Sequence, residues 1–438
     1  MSNKKLKVVW LCHFSNNLVH EKLELGYTWL MKLILKVVQK PISTVVPEFA
    51  VWNTNGIREF EKVDGVDLHI VSPYPHMRKP IQEFTINGIH YHFFRNEEEK
   101  LLFRLYRHLF KPKYLHFRAN CKAITKTIDR IQPDIVHLIG AENPFYSLGL
   151  LNVPKQIVTI TQLQTLLCDP IFKSSYHRDP NSYYYNLGVE KQILETSNYI
   201  GTGASKYKEI ILNTIKPDAI ILNIDLFLKE PIVIEQIEKQ FDFVYFAANI
   251  SKAADLAIEA FGRAFQSNPN ITLDVIGGYD QEYKQQLDEL IHKYGMKRAV
   301  SFEGSLPSHG DVIAQIRKAR FALLPIRVDV TSSTIREAMS CGLPVITTDT
   351  GEQGTRLLNQ IRQNVLISPK GDCQSLADNM IRLIEDSELE DTLRKNSYLT
   401  RKEADSNEEM ARRYVETYQA CVNHSRLGEP LPNRLIFH

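Results

Sequence analysis

The six cysteines (Cys12, Cys121, Cys168, Cys341, Cys373, Cys421) are scattered, and no C-x-x-C pair occurs among them. Their scatter points to a reducing, cytoplasmic setting and makes a structural zinc site an unexpected feature. No apolar run approaches the 18 or so residues that a membrane-spanning helix needs. The N-terminal MSNKKLKVVWLCHF is expected to pass straight into a strand rather than to act as a leader. Charge of one sign is also lacking. Fifty-three basic residues stand against 51 acidic ones, a net charge of +2. That balance argues against a dedicated nucleic-acid binder, so no nucleic-acid partner is expected. Solenoid-period repeats and low-complexity tracts are absent too.

What is present is length and alternation. At 438 residues the chain exceeds one ordinary core and implies two domains. Strand-like and helix-like segments alternate along it, the pattern of parallel α/β architecture. Strands are expected at Leu6–Cys12, Val66–Val71, Ile135–Ile139, Gln156–Thr161, Tyr199–Thr202 and Ala219–Leu222. A hairpin is expected over Glu83–Phe94, because Asn87-Gly88 between β-branched and aromatic residues signals a type I′ turn. The stretch from Asn223 to Gln240 breaks the rhythm with Pro231 among mixed charges and reads as a linker. A second alternating series follows. We therefore expect an α/β fold with two Rossmann-like domains, over residues 1–228 and 229–404, facing each other across a cleft. Residues 405–438 are expected to form a helix that packs back on the first domain. Ligands of such sheets sit at the carboxyl ends of the strands.

The most informative segment is DVTSSTIREAMSCGLPVITTDTGE, Asp329 to Glu352. It follows the apolar run Phe321–Leu324 and carries two carboxylates eight positions apart, Asp329 and Glu337. Between them, Thr331-Ser332-Ser333-Thr334 lies where a helix should start. Unpaired backbone N–H groups and the helix dipole make such a start an anion site. A carboxylate on either side can hold hydroxyl groups flanking a diphosphate, as a sugar nucleotide requires.

Other phosphate and acyl chemistries lack their motifs. Gly201-Thr202-Gly203-Ala204-Ser205-Lys206 has lysine where a dinucleotide fingerprint needs its third glycine. No G-x-x-x-x-G-K-[ST], G-x-S-x-G or H-E-x-x-H sequence occurs. The residues that remain resemble the retaining glycosyltransferases of family 4, which have the GT-B fold. Phe243–Lys252 (FVYFAANISK) occupies the place of that family's strand, Gly-Arg loop and lysine, and Ile271–Gly278 and Val300–Gly304 match its next strands. The resemblance implies that Lys252 neutralises the donor diphosphate, Glu337 holds ribose hydroxyls and Asp329 holds the donor sugar. It places the backbone N–H groups of Ser333 and Thr334 on the phosphates. Asn249, Gly278, Ser332 and Glu303 are the further donor-binding candidates. Three positions of the donor half depart from the family: Asp329 replaces a glutamate, Asn249 stands where an arginine is expected, and Ser332 stands where a glycine is expected three positions after the first carboxylate. Arg327, Arg336 and Arg263 are candidates to supply the lost charge.

In the first domain, Pro133–His137 resembles a strand that ends in histidine in many members, so His137 is an acceptor-side candidate. Glu142, just beyond that strand, is another. Trp10–Asn16 and Leu68–Pro73 resemble bacterial surface-polysaccharide transferases. The resemblance thus implies a hexosyl-type transferase using a UDP- or GDP-sugar donor and a glycan or lipid-linked acceptor, with no cofactor and no metal. Two cationic segments bear on location. Lys32, Lys36 and Lys40 repeat every four residues opposite an apolar stripe, and Phe103–Arg130 carries eight basic residues against Asp129. Either is compatible with peripheral contact at an anionic membrane's inner face. Plainer readings stay open: a dipole-complementing Glu337, a solvated Lys252, a packed His137, a turn residue at Glu142. So do two alternative functions, a GT-B-like sugar-nucleotide epimerase or hydrolase, and a catalytically weak binding or scaffold relative.

Overall fold

The computed structural model describes residues 5–27, 32–33, 36, 46, 48–97, 116–170, 172–173, 180–228, 237–247, 252–327, 332–349, 357–359, 361–404 and 406–437. These fall into two compact units, Met1–Phe227 with Asn407–His438, and Leu228–Ser406. Asn249 and Asp329 lie outside the described residues, as do most of the 29–40 segment and residues 103–115.

The first unit is built on an eight-stranded sheet. Its strands are β1 (Leu6–Leu11), β2 (Val66–Tyr74), β3 (Ile81–Ile86), β4 (Ile89–Arg95), β5 (Ile135–Ile139), β6 (Val158–Gln162), β7 (Tyr199–Gly201) and β8 (Ile221–Leu222). The order is β3-β4-β2-β1-β5-β6-β7-β8, and only β3 runs antiparallel to its neighbour. The β3–β4 hairpin turns on Asn87 and Gly88, both at positive φ (50° and 82°), as the type I′ expectation requires. β1 and β5 are buried along nearly their whole length, the pattern of strands covered on both faces. The edge strand β8 is capped by the C-terminal tail, where Ile436 bridges Leu222 antiparallel.

The long helix Asn407–Leu427 covers one face of this sheet. Its apolar face meets Trp10, Phe60 and Phe227, and Tyr414 and Tyr418 are 1% and 0% exposed. Burying each such side chain contributes on the order of 1.5–3 kcal/mol. Polar tips are matched: Tyr414 Oη donates to the Asp225 carbonyl at 2.7 Å, and Trp10 Nε1 donates to Tyr418 Oη at 2.8 Å.

The second unit holds six parallel strands: β9 (Phe241–Phe246), β10 (Leu273–Ile276), β11 (Val300–Gly304), β12 (Ala319–Leu324), β13 (Val345–Thr348) and β14 (Val365–Ser368). Their order, β11-β10-β9-β12-β13-β14, is the doubly wound arrangement with its reversal between β9 and β12. Phe243, Phe261 and Phe321 pack ring to ring at the centre of its core. The reversal matters for function because the crossovers that follow β9 and β12 run in opposite directions along the sheet. A crevice at their carboxyl ends follows from topology.

Candidate active site

At that reversal the chain leaves β9 and re-enters helical structure at Ala254–Ser267. Lys252 sits immediately before this helix, followed by Ala253 at φ 60°. A left-handed alanine costs on the order of 1 kcal/mol, so packing must impose it. Tyr245 supplies part of that packing by donating its hydroxyl to the Lys252 carbonyl at 3.0 Å. From the neighbouring strand β12, the chain passes through Arg327 to Ser332 and the helix Ser333–Ser340. Ile335, Ala338 and Met339 bury the inner face of this helix, leaving Ser333 and Glu337, four residues apart, on a shared outer face.

The two loops meet. Lys252 Nζ lies 3.4 Å from Ser332 Oγ, and Ser332 Oγ lies 2.7 Å from Thr334 Oγ1. Ser332 is the N-cap residue, yet its hydroxyl makes no capping bond to the first-turn backbone. The helix start therefore presents a lysine ammonium, two hydroxyls and the positive end of the dipole in one place, a good setting for an anion. One turn further on, Glu337 keeps 12% of its side-chain surface and lies 3.6 Å from Nε2 of His309. His309 opens the helix His309–Ile316, whose start is fixed by a capping box between Ser308 and Asp311.

Arg327 does not stand in for the missing arginine at Asn249, because it is committed elsewhere. Its guanidinium grips Asp255 through both carboxylate oxygens, one at 2.6 Å. Tyr283 Oη also donates to Asp255, at 2.6 Å. Burial pushes the Asp255 carboxyl up, but the bonds from Arg327 and Tyr283 outweigh it and hold the group below its ordinary range. Arg263 pairs with Glu259 on its own helix.

Gly278 and Glu303 lie at the same carboxyl edge of the sheet. A Cβ at Gly278 would stand 2.3 Å from Ser305 Oγ, and one at Gly277 would stand 2.4 Å from the Ala247 carbonyl oxygen. These two glycines let the β10 loop pass close to the ends of both neighbouring strands. Glu303 is exposed on β11, beside the register shift opposite Val275 and Ile276. Thus Lys252, Ser332 and Thr334 are brought together, Glu337 lies along the same helix, and Gly278 and Glu303 line the same edge.

The first unit has its own reversal between β1 and β5, and here one candidate is displaced. His137 is 0% exposed, at the middle of β5. Its Nδ1 lies 2.7 Å from Tyr418 Oη, and Trp10 and Tyr414 pack on the ring. Because the Trp10 indole can only donate to Tyr418, the tyrosine hydroxyl proton is directed at His137 Nδ1. Burial drives the imidazole pKa down to about 3, so the ring is neutral. The acceptor-side expectation for His137 does not survive this placement; the ring belongs to the packing of the C-terminal helix.

Glu142 does lie at the carboxyl end of β5, beyond Gly140. Asn143 Nδ2 donates to Glu142 Oε1 at 3.0 Å. With the Gln164 amide oriented to satisfy both neighbours, its nitrogen reaches Glu142 Oε1 at 3.2 Å and its oxygen accepts from Trp52 Nε1 at 2.8 Å. Glu142 Oε2 is shut off from solvent without a hydrogen-bond partner among the described residues. Burial raises this carboxyl to about 7. His13, at the end of β1, is wedged against Phe49 and Phe145, and burial lowers its pKa to about 4. Trp52, His13, Gln164 and His309 are site residues that sequence reading missed. They share no local motif with the residues they join. On the flank of this unit, Arg118, Lys122 and Lys126 line an open cavity of about 680 Å³ with Leu148 and Leu151.

Comparison with known proteins bears on the fold. Residues 229–400 match the family model "Glycosyl transferases group 1". No curated protein matches the sequence. Among solved structures, sucrose-phosphate synthase from Thermosynechococcus elongatus superposes with a TM-score of 0.65 at 15% identity, over 95% of this chain and 98% of that one. Anabaena HepE, solved with UDP and glucose, gives 0.61 at 14% identity, over 84% and 96%. A glycosyltransferase from Rickettsia africae gives 0.58 at 11% identity, over 96% and 99%. No helix among the described residues is long and apolar enough to cross a membrane. The chain has the GT-B fold, and residues 229–400, within its second unit, match the glycosyl transferases group 1 model.

Proposed function

We propose that this protein is a retaining glycosyltransferase of the family 4 type, moving a hexosyl group from a nucleotide diphosphate sugar to a glycan or lipid-linked acceptor in cell-surface polysaccharide synthesis. The observation that carries the reading is the meeting of Lys252 with Ser332 at the β9/β12 reversal, 3.4 Å apart, at a helix start that also bears Glu337. Lys252 and the first-turn N–H groups take the diphosphate, Glu337 the ribose hydroxyls and Asp329 the sugar hydroxyls, with Asn249 beside the phosphates. The second unit binds the donor, and the first binds the acceptor through the end of β5 near Glu142. UDP in a structural neighbour of this fold favours a uridine donor.

In this reading the acceptor hydroxyl oxygen forms its bond to the anomeric carbon on the same face from which the diphosphate departs. The sugar–phosphate bond breaks, and the acceptor proton passes to the leaving phosphate oxygen. Catalysis then rests on positive charge and N–H donors around the leaving group, which stabilise charge as it develops. No metal is needed for that step. The basic cavity at Arg118, Lys122 and Lys126 supports an anionic, membrane-surface acceptor at the inner face of the membrane.

A catalytically weak binding relative is the second reading, favoured by the commitment of Arg327 to Asp255. Ligand-detected NMR with UDP-, GDP- and ADP-sugars separates the two. The transferase reading expects saturable binding of one UDP-sugar, competed by UDP, with no sugar released until an acceptor is supplied. Absence of binding across the panel overturns it. Free sugar released without acceptor points instead to hydrolysis.

A further inference from the structure

A second cluster of reactive side chains lies away from the donor site, at the amino-terminal ends of β2 and β4. The two strands are parallel, with His69 directly opposite His90. Asp67 lies two residues before His69 on the same face of β2, because strand side chains alternate. His92 lies two residues beyond His90, opposite Glu83 of β3. The result is a single patch of Asp67, His69, His90, His92 and Glu83 on one face of three adjacent strands.

The geometry within the patch is directional. Asp67 Oδ2 stands 3.5 Å from His69 Nε2, and Asp67 Oδ1 stands 3.3 Å from His90 Nε2. One ligand atom from each of these three residues lies within 4.8 Å of the others. On its far side, His69 Nδ1 lies 3.0 Å from His92 Nε2, and His92 Nδ1 lies 2.9 Å from Glu83 Oε1. Glu83 can only accept, and at 2.9 Å it lies nearer His92 Nδ1 than the Arg130 guanidinium does at 3.4 Å, so with both rings neutral His92 Nδ1 carries the proton and its Nε2 is the acceptor for His69 Nδ1–H. The relay leaves His69 Nε2 as a bare lone pair. That atom is buried, makes no hydrogen bond of good geometry among the described residues, and stands 3.5 Å from the Asp67 carboxylate. Two acceptors held face to face are repulsive unless a cation sits between them.

We propose that Asp67, His69 and His90 form a binding site for a divalent transition ion of the zinc class. Zinc bonds to imidazole nitrogen and carboxylate oxygen of about 2.0–2.2 Å place neighbouring tetrahedral ligand atoms roughly 3.3 Å apart, close to the 3.5 Å and 3.3 Å at which the two Asp67 oxygens stand from His69 and His90. A water completes the fourth position. The His92–Glu83 relay does what outer partners of metal-bound histidines do, fixing the tautomer and orientation of the ligating ring. Arg130, which pairs with Glu83, anchors the relay to the helix Arg118–Ile131. The ion clamps β2 to β4, and through the relay β3, at the edge of the first unit's sheet. The sequence expectation of no structural zinc rested on the cysteines, which this site does not use.

The test is a zinc titration, by calorimetry near pH 7.5, of the untagged full-length chain after chelator treatment. Binding of one ion per chain at micromolar or tighter affinity is expected, accompanied by a rise in melting temperature. Cobalt in its place should give the visible bands of a four-coordinate nitrogen–oxygen site without the intense thiolate band. His90→Gln and Asp67→Asn, both on partly exposed side chains, should weaken binding at least about tenfold, and His92→Leu about 10–100-fold. Their apo forms should keep the wild-type circular dichroism spectrum. Absence of saturable binding, affinity unchanged in His90→Gln and Asp67→Asn, or a thiolate band overturns the site. A patch whose only response is protonation on acidification is one such negative outcome.

Discussion

The two units carry the same device, a parallel sheet that reverses its winding, and put opposite chemistry at its carboxyl edge. In the second unit, at the end of β9 and β12, Lys252, Thr334 and Glu337 keep part of their surface near solvent around a helix start, with Ser332 buried among them. In the first, at the end of β1 and β5, Glu142, His13 and Gln164 are half-buried, His13 lies against Phe49 and Phe145, Glu142 Oε2 is shut off from solvent, and burial raises the Glu142 carboxyl and lowers the His13 imidazole. One edge suits a charged, strongly hydrated diphosphate. The other suits a neutral hydroxyl-bearing group that must be shielded from water. A topological reversal locates a site; it is the dielectric around it that decides which substrate half it serves.

The sharpest way to break this comparison is to truncate Glu337. Two charge-assisted bonds from one carboxylate to ribose hydroxyls, at about 1.5–3 kcal/mol each, set the expected loss of kcat/KM for Glu337→Ala at roughly 10²–10⁴-fold. Steady-state transfer assays at saturating acceptor measure it. An unchanged rate removes the second unit from the donor role. Next in size is Lys252→Ala, which removes one charge from the diphosphate and should cost about 10–10²-fold. Lys252→Arg should recover part of that loss, since the charge is kept and the geometry shifted. If Glu142→Gln lowers donor affinity as much as Lys252→Ala, the division of labour between the two edges fails.

The same contrast explains what was legible in the sequence. The donor edge is local: a strand, a short loop and a helix start contribute Ser332 to Glu337 within one contiguous segment. Its hydroxyls and carboxylate announce themselves between apolar runs. Only His309, which approaches Glu337 from the helix after β11, escaped notice, because nothing in its own neighbourhood distinguishes it from a surface histidine. In the first unit, Glu142 is joined by residues from positions 13, 52 and 164, a long-range assembly with no motif to read. The helix Val51–Phe60 was unexpected for a related reason. Asn53, Asn55 and Gly56 are weak helix formers, yet a Cβ at Gly56 would stand 2.7 Å from Phe227 and 2.9 Å from Trp10. The glycine that hides the helix from propensity is the one that lets it pack. His137 misled in the opposite direction. Its strand was read correctly, but the covering helix arrives from 281 residues away.

A smaller effect follows for stability alone. Tyr418→Phe keeps the ring and removes the hydroxyl that serves both Trp10 Nε1 and His137 Nδ1. Leaving a buried indole N–H without a partner costs about 1–3 kcal/mol, visible as a lower urea midpoint with an unchanged slope. Substituting Glu337, on a partly exposed helix face, should move stability by about 0.5 kcal/mol or less. Equal losses in the two variants would mean that the helix Asn407–Leu427 is not what holds His137 in place.

The smallest effect is the one that most directly tests the dielectric argument. Burial raises the Glu142 carboxyl to about 7, above its ordinary value near 4.5. The folded chain therefore holds a proton there that the unfolded chain releases between those two values. Stability from this group is fully present below about pH 4.5 and is lost as pH rises through about 7. Glu142→Gln cannot ionise and keeps the same shape, so it should be close to neutral at pH 5 and stabilising by roughly 1–2 kcal/mol at pH 8. Urea unfolding of both proteins at the two pH values reads this difference. A gain that is equal at pH 5 and pH 8 would mean that Glu142 stays ionised in the folded state. The acceptor edge would then be as wet as the donor edge, and the chemical asymmetry between the two reversals would have to come from the substrates themselves rather than from the protein.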